Sequence, residues 1–228
     1  MLTSAKKQPT TLTEDAYLRI RNDIVQGRLT AGEKLRIEAL RNTYGIGPTP
    51  LREALSRLLS DGFVTTEGQR GFSVTPLTAE DLEDVTSMRV LLENRALQNS
   101  ILKGDDNWEA NLVAAFHRLS RIETSEGERD PVEWERRNAE FHQALIGACH
   151  SHWLRRFAAI LYDQHRRYRH LARARLKGRD LHAEHTAIYE AALKRDVEAA
   201  CAANERHIQA TFDTLRDLIS EEDHLAGC

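Results

Sequence analysis

The twenty residues from Tyr44 to Phe63, YGIGPTPLREALSRLLSDGF, leave the chain few folds to choose from. Gly45 can close a preceding helix and Gly47 can relax a turn, while Thr49 as N-cap and Pro50 at the first helical position start a new helix. Leu51, Leu55, Leu58 and Leu59 then recur at i, i+4, i+7 and i+8. That spacing marks one face for burial and turns Thr49, Arg52, Ser56 and Arg57 outward. The pattern is the second half of a helix-turn-helix. Its outward face suits a DNA major groove, where Arg52 in the first turn can offer guanine a bidentate fork. The competing reading is an ordinary surface helix, salt-bridged between Glu53 and Arg57.

The flanking segments complete a larger pattern. Thr11 and Glu14 have capping-box spacing, and Tyr17, Ile20 and Ile24 then mark one face of a first helix that Gly27 ends. Ile37 to Tyr44 reads as a short helix with Ala39 and Leu40 inward and Arg36 and Arg41 free to reach phosphate. After Gly62, FVTTEGQRGFSVTP reads as two strands, Phe63 to Thr66 and Phe72 to Thr75, turning around Gly68 to Gly71. Three helices and a hairpin make a winged helix, with Gln69 and Arg70 at the wing tip placed for phosphate or the minor groove. Some winged helices bind protein instead, and that alternative stays open here.

Pro76 breaks the last strand, and the sequence places a domain boundary there: 1–76 as a winged helix-turn-helix and 77–228 as an all-α helical bundle. Thr78 with Asp81 starts a long helix to about 102, and further helices are expected near 107–123, 131–149, 152–176, 181–194 and 197–219. Asp130-Pro131-Val132-Glu133 supplies an N-cap, a proline at N1 and a carboxylate at N3. Gly104, Gly127 and Gly178 punctuate the joints. No Gly-x-Gly-x-x-Gly loop occurs, so a nucleotide cofactor has no support.

Charge divides at the same place. Residues 1–76 carry 11 Lys and Arg against 8 Asp and Glu, whereas residues 77–228 carry 21 against 27. A basic head on an acidic body fits one unit that meets phosphates and one that does not. No apolar run approaches the ~18 residues needed to span a bilayer, and MLTSAKKQPT lacks the apolar core of a signal peptide. A cytoplasmic protein without membrane contact is expected. Cys149, Cys201 and Cys228 lack paired spacing, so the first two are expected to be buried in helices rather than bridged.

All ten histidines lie at or beyond His117. Asn138 and His142, four apart, share one face of the helix from Pro131, while His185 and His207 fall on two later helices. Imidazoles from separate helices converging in a bundle make a site for Zn, Ni, Fe or Mn, with an oxygen ligand on the first helix to complete it. Taken singly, each histidine reads equally as a surface or core residue, and spacing alone does not choose among them.

Together the segments TPLREAL (49–55), DGFV, GQRGFSV, RVLLE (89–93), NAEFHQAL (138–145) and EHTAIYEAAL (184–193), with His207 beyond, resemble the GntR superfamily of bacterial transcription regulators. The likeness is to its FadR subfamily, whose effector domain is called FCD. Residues 108–123 resemble its carbon-starvation-induced branch. The resemblance implies metal ligation at Asn138, His142, His185 and His207, but the first of these is Asp in the family pattern. An amide ligates through its carbonyl oxygen without charge, which weakens the hold on a dication. Zn or Ni is the occupant expected of a three-imidazole site.

The resemblance also implies a small carboxylate effector clamped by Arg89, whose fork is bidentate and always charged. A dicarboxylate such as glutarate is the example the subfamily provides. An i,i+4 pair of Arg89 with Glu93 is the competing reading, and Tyr168 and Arg169 are further pocket candidates. At the DNA end, Gly47-Pro48 replaces the family's Ser-Arg, so Thr49, Arg52 and the wing must supply more of the reading. The function implied is a homodimeric repressor on an inverted-repeat operator, released by the effector. A three-histidine metalloenzyme is the remaining rival, weakened because Glu140 faces away from His142.

Overall fold

The structure is a computed structural model describing residues 11–66, 71–125, 130–171 and 179–226. It contains two compact units, Met1–Thr78 with Arg166–Leu171 and Ala79–His165 with Ala172–Cys228.

In the first unit α1 (Leu12–Val25) is started by Thr11, whose hydroxyl accepts from the Glu14 amide at 3.1 Å. A two-residue strand β1 (Lys34–Leu35) precedes α2 (Ile37–Tyr44), which Gly45 closes in the left-handed region at φ 68°. Glycine adopts that conformation without the Cβ clash that other residues incur. The next helix, α3, spans Pro48–Ser60 with Gly47 as N-cap and Pro48 at N1. It therefore begins before the expected Thr49-Pro50, because Pro48 already has the φ that a first helical residue needs. Thr49 lies inside the first turn rather than capping it.

The buried face of α3 is Leu51, Ala54, Leu55 and Leu58, not Leu59, which is 40% exposed. Ala54 completes the i, i+3, i+4, i+7 stripe, and a 100° step past Leu58 carries Leu59 toward solvent. The same geometry corrects α2, where Leu40 is buried but Ala39 is exposed. α3 packs on both α1 and α2, and Ala16, Ile20 and Ile24 of α1 are buried in the same unit. Two hydroxyls lock the edges: Tyr17 donates to Asp61 at 2.7 Å and Tyr44 to Asp23 at 2.6 Å.

Strands β2 (Val64–Thr66) and β3 (Phe72–Val74) pair antiparallel, Val64 opposite Val74. The sheet has a third strand that the sequence did not announce. β1 pairs with β3, Leu35 opposite Phe72, giving the order β1-β3-β2. Two residues carry no alternation to read, and only their tertiary partner makes them a strand. Gln69 and Arg70 lie outside the described residues.

The regular elements described in the second unit are all helices: α4 (Ala79–Lys103), α5 (Asp106–Glu123), α6 (Pro131–Leu145), α7 (His152–Leu171, of which Arg166–Leu171 groups with the first unit), α8 (Leu181–Leu193) and α9 (Val197–Ala226). α4 packs along α9, α5 on α6 and α8, and α8 on α9. The core between them includes Leu97, Ile101, Trp108, Leu112, Leu119, Phe141, Leu145 and Ile188. Asp130 caps α6 as expected, accepting from the Val132 amide at 2.9 Å. That helix stops at Leu145, so Cys149 is buried beyond its end rather than within it, and Cys201 of α9 is half-buried. Gly104 joins α4 to α5 where a Cβ would run into the Trp108 ring.

Candidate functional site

Three helices of the second unit deliver one imidazole cluster. α6 presents Asn138 and His142 one turn apart, α8 presents His185 and α9 presents His207; all four residues are at most 5% exposed. The ring centroids stand 5.2 Å (His142 to His207), 5.6 Å (His142 to His185) and 4.7 Å (His185 to His207) apart. One ring nitrogen from each lies within 4.8 Å of the others. Phe141, beside His142 in sequence, meets the His185 ring edge-on at 5.3 Å and backs the cluster with apolar surface.

Carboxylates hold two of the rings from behind. Glu123, at the end of α5, accepts from His185 Nδ1 at 2.9 Å and, on the same Oε1, from the Trp134 indole at 3.0 Å. Glu184 accepts from His207 Nδ1 at 2.7 Å and is itself held by Arg179, Nη2 to Oε2 at 2.6 Å and Nε to Oε1 at 3.1 Å. With each Nδ1–H donated backward, the Nε2 lone pair is the nitrogen each ring offers to the cluster.

Burial pushes the His207 imidazole down to about 3 against the opposing pull of Glu184. The ring is thus neutral at pH 7, so its bond to Glu184 is a hydrogen bond, and the charged partner of that carboxylate is Arg179. Burial works to raise Glu184, yet the hydrogen bonds from His207 and Arg179 bring its carboxyl down to about 2. Glu123 is also held below the usual carboxylate range: burial raises it, but the hydrogen bonds of His185 and Trp134 prevail.

The donor set fits a divalent cation. The three imidazoles converge, and His185 Nε2 and Asn138 Oδ1 are buried without a hydrogen-bond partner among the described residues. Asn138 donates through Nδ2 to the Tyr162 hydroxyl at 3.1 Å, which fixes its amide so that the oxygen is the atom left over.

The other expected pocket residues fall less simply. Arg89 is buried, and its fork is taken by Glu93 at 2.7 and 3.2 Å, while its guanidinium carbon lies 5.0 Å from the Tyr162 ring centroid. The i,i+4 pair is therefore present, and Arg89 still adjoins the cluster through Tyr162. Tyr168 and Arg169 sit in Arg166–Leu171, which groups with the first unit, where the Tyr168 hydroxyl bonds to the Thr78 backbone. On α7, Tyr162 touches the cluster, six positions before Tyr168 and roughly 9 Å along the axis.

Sequence reasoning missed Tyr162, Glu123, Glu184, Arg179 and Trp134. Glu184 abuts His185 in sequence yet serves His207 on another helix, so no local spacing could have assigned it.

At the DNA-facing end, Thr49, Arg52 and Ser56 are all exposed on α3, and Arg36 and Arg41 are exposed on α2. The Glu53–Arg57 surface pair gives way to other partners. Glu53 accepts from Thr13 at 2.7 Å, and Arg57 lies 4.4 Å over the Tyr17 ring, turned toward α1. Arg41 has Glu38 at 3.4 Å, a loose exposed contact easily exchanged for phosphate. No helix among the described residues is long and apolar enough to cross a membrane.

Comparison with known proteins agrees with both ends. Residues 12–74 match the model of the bacterial regulatory proteins, gntR family, and residues 84–210 match the FCD domain. The HTH-type transcriptional regulator BphR of Paraburkholderia xenovorans (strain LB400) is 43% identical over 90% of this chain and 85% of its own. The HTH-type transcriptional repressor GlaR of Escherichia coli (strain K12) is 34% identical over 85% of this chain and 91% of its own. The solved structure of E. coli McbR/YncC has the same fold, with a TM-score of 0.78 at 19% identity over 92% of this chain and 99% of that one. Its relatives being regulators rather than enzymes, the chain belongs to the GntR family as a DNA-binding transcription regulator with a C-terminal FCD domain.

Proposed function

We propose that the protein is a homodimeric, cytoplasmic repressor that leaves its operator when a small carboxylate enters the FCD domain. The observation that carries this reading is the convergence of three buried imidazoles, with an orphaned amide oxygen beside them, inside the effector domain of a DNA-binding regulator. Asn138, His142, His185 and His207 would hold a divalent cation, zinc or nickel by donor type. When bound, the cation supplies a positive centre for a carboxylate. Arg89 adds a guanidinium on the Tyr162 side, and the apolar Phe141 wall raises the strength of these contacts by excluding water. GlaR is named a repressor, which supports the same sign of regulation here.

Residues 1–76 would serve DNA and 77–228 effector binding and dimerisation. Two winged helices related by a two-fold axis read an inverted repeat, with Thr49, Arg52 and Ser56 at base edges and Arg36 and Arg41 at phosphates. Gln69 and Arg70 keep their proposed wing contacts. Elemental analysis of the purified protein beside His185→Ala is the test of the centre: metal in the first and not the second is expected, and equal metal in both overturns it. Release of an operator fragment by glutarate, measured by fluorescence anisotropy, tests the response.

A further inference from the structure

Arg89 and Glu93 stand one turn apart on α4 and are 1% and 5% exposed. Their contact is a two-point fork, Nε to Oε1 at 2.7 Å and Nη2 to Oε2 at 3.2 Å. On a helix surface such a pair would be an ordinary i,i+4 contact. Buried, it has taken two charges out of water, and apolar residues of similar volume would serve stability as well or better. Its placement points to another role. The guanidinium lies over the Tyr162 ring, the Tyr162 hydroxyl accepts from Asn138, and Asn138 is one turn before His142 on α6. Arg89, the cation on the Tyr162 side of the imidazole cluster, is thus already holding a carboxylate, and that carboxylate belongs to the chain.

We infer that Glu93 is the internal occupant of the effector's carboxylate subsite, a side-chain anion that holds Arg89 until an external carboxylate takes the same fork. This rests on the carboxylate-sensing reading above. The exchange is between like groups: the incoming acid gains the charge-assisted hydrogen bonds that Glu93 gives up, so its apparent affinity is set by the difference. Two consequences follow from that balance. A bare monocarboxylate offers Arg89 nothing that Glu93 does not, so only an acid with a second anionic or chelating group, able to reach the histidine side as well, displaces it. Glu93, once parted from its cation, cannot stay buried and unpaired. Its departure, or a shift of α4, is the structural event that effector binding brings about.

Glu93→Gln keeps the shape and removes the competing charge. By calorimetry on the full-length, metal-loaded protein, it should bind glutarate about ten-fold more tightly than the wild type, the scale of one uncontested charge-assisted hydrogen bond. It should also bind acetate, to which the wild type gives no heat, while its ligand-free Tm falls. Opposite movement of affinity and stability separates competition from a merely structural role, which would lower both. Arg89→Gln added to Glu93→Gln should remove both gains. Glu93→Asp, which shortens the side chain but keeps the charge, should shift affinity the same way by less, and it carries the test if the glutamine variant does not fold. If both variants bind glutarate no better than the wild type, Glu93 only positions Arg89 and the inference is overturned while the carboxylate reading stands. If neither acid binds any of these chains, the carboxylate reading itself falls.

Discussion

Glu184 and His207, on different helices, are joined at 2.7 Å between a carboxylate oxygen and the ring Nδ1, with Arg179 closing on the same carboxylate. The acid fixes the tautomer by which His207 presents its Nε2. Glu184→Gln should therefore weaken zinc or nickel about 10- to 100-fold, the usual cost of losing an outer-shell partner. Competition against a chromophoric chelator measures it, and unchanged affinity would remove Glu184 from the site's support.

The same pair predicts an acid-labile effector domain. The His207 ring is neutral in the fold, down at about 3 from its ordinary 6.5. The unfolded chain therefore binds the proton more readily, and this contribution is complete above pH 6.5 and lost as pH falls toward 3. Glu184, down at about 2 from 4.5, acts in the same direction at lower pH. Urea denaturation of metal-stripped protein between about pH 7 and about pH 4 should show stability falling on acidification. His207→Asn should flatten the upper part of that slope, and an identical slope in the variant would count against the assignment.

At the DNA end, the proposed base-reading and phosphate-binding roles predict different losses for two exposed arginines. Arg52→Ala should cost about 1 to 3 kcal/mol on the operator and relax specificity at one base position. Arg36→Ala should weaken binding to all sequences alike and reduce the salt slope by about 1. Anisotropy titrations at several salt concentrations distinguish them; an Arg52→Ala loss shared equally by random DNA would make that residue a phosphate contact.

Phe141 belongs to the core and to the site at once, fully buried and edge-on to both His142 and His185. Phe141→Ala should destabilise by about 3 to 5 kcal/mol and loosen the metal site together. Phe141→Leu should recover most of the stability but not the ring contacts. If the leucine variant holds metal as the wild type does, the edge contacts are packing alone.

The fold was readable where the signals were local. Thr11, Gly45 and Asp130 act as caps or terminators because their chemistry operates within a few residues, and the leucine spacing of α3 places its core face to within one residue. Histidines on three helices were legible as a set only with the family pattern beside them. What remained hidden was everything set by contact between distant segments. β1 exists because Leu35 meets Phe72, and Tyr162, Glu123 and Glu184 matter through residues 24, 62 and 23 positions away. The Arg89–Glu93 pair was visible as spacing, but its burial was not.

Glu123 takes hydrogen bonds from Trp134 and from His185 on a single oxygen, so one atom ties α5 and α6 to the imidazole cluster through α8. Genetic selection on such a protein would not separate structural from signalling alleles. If the protein is the proposed effector-released repressor, screens for uninducible variants should return changes at Trp134 and along the α5–α6 contact alongside changes in the histidines themselves.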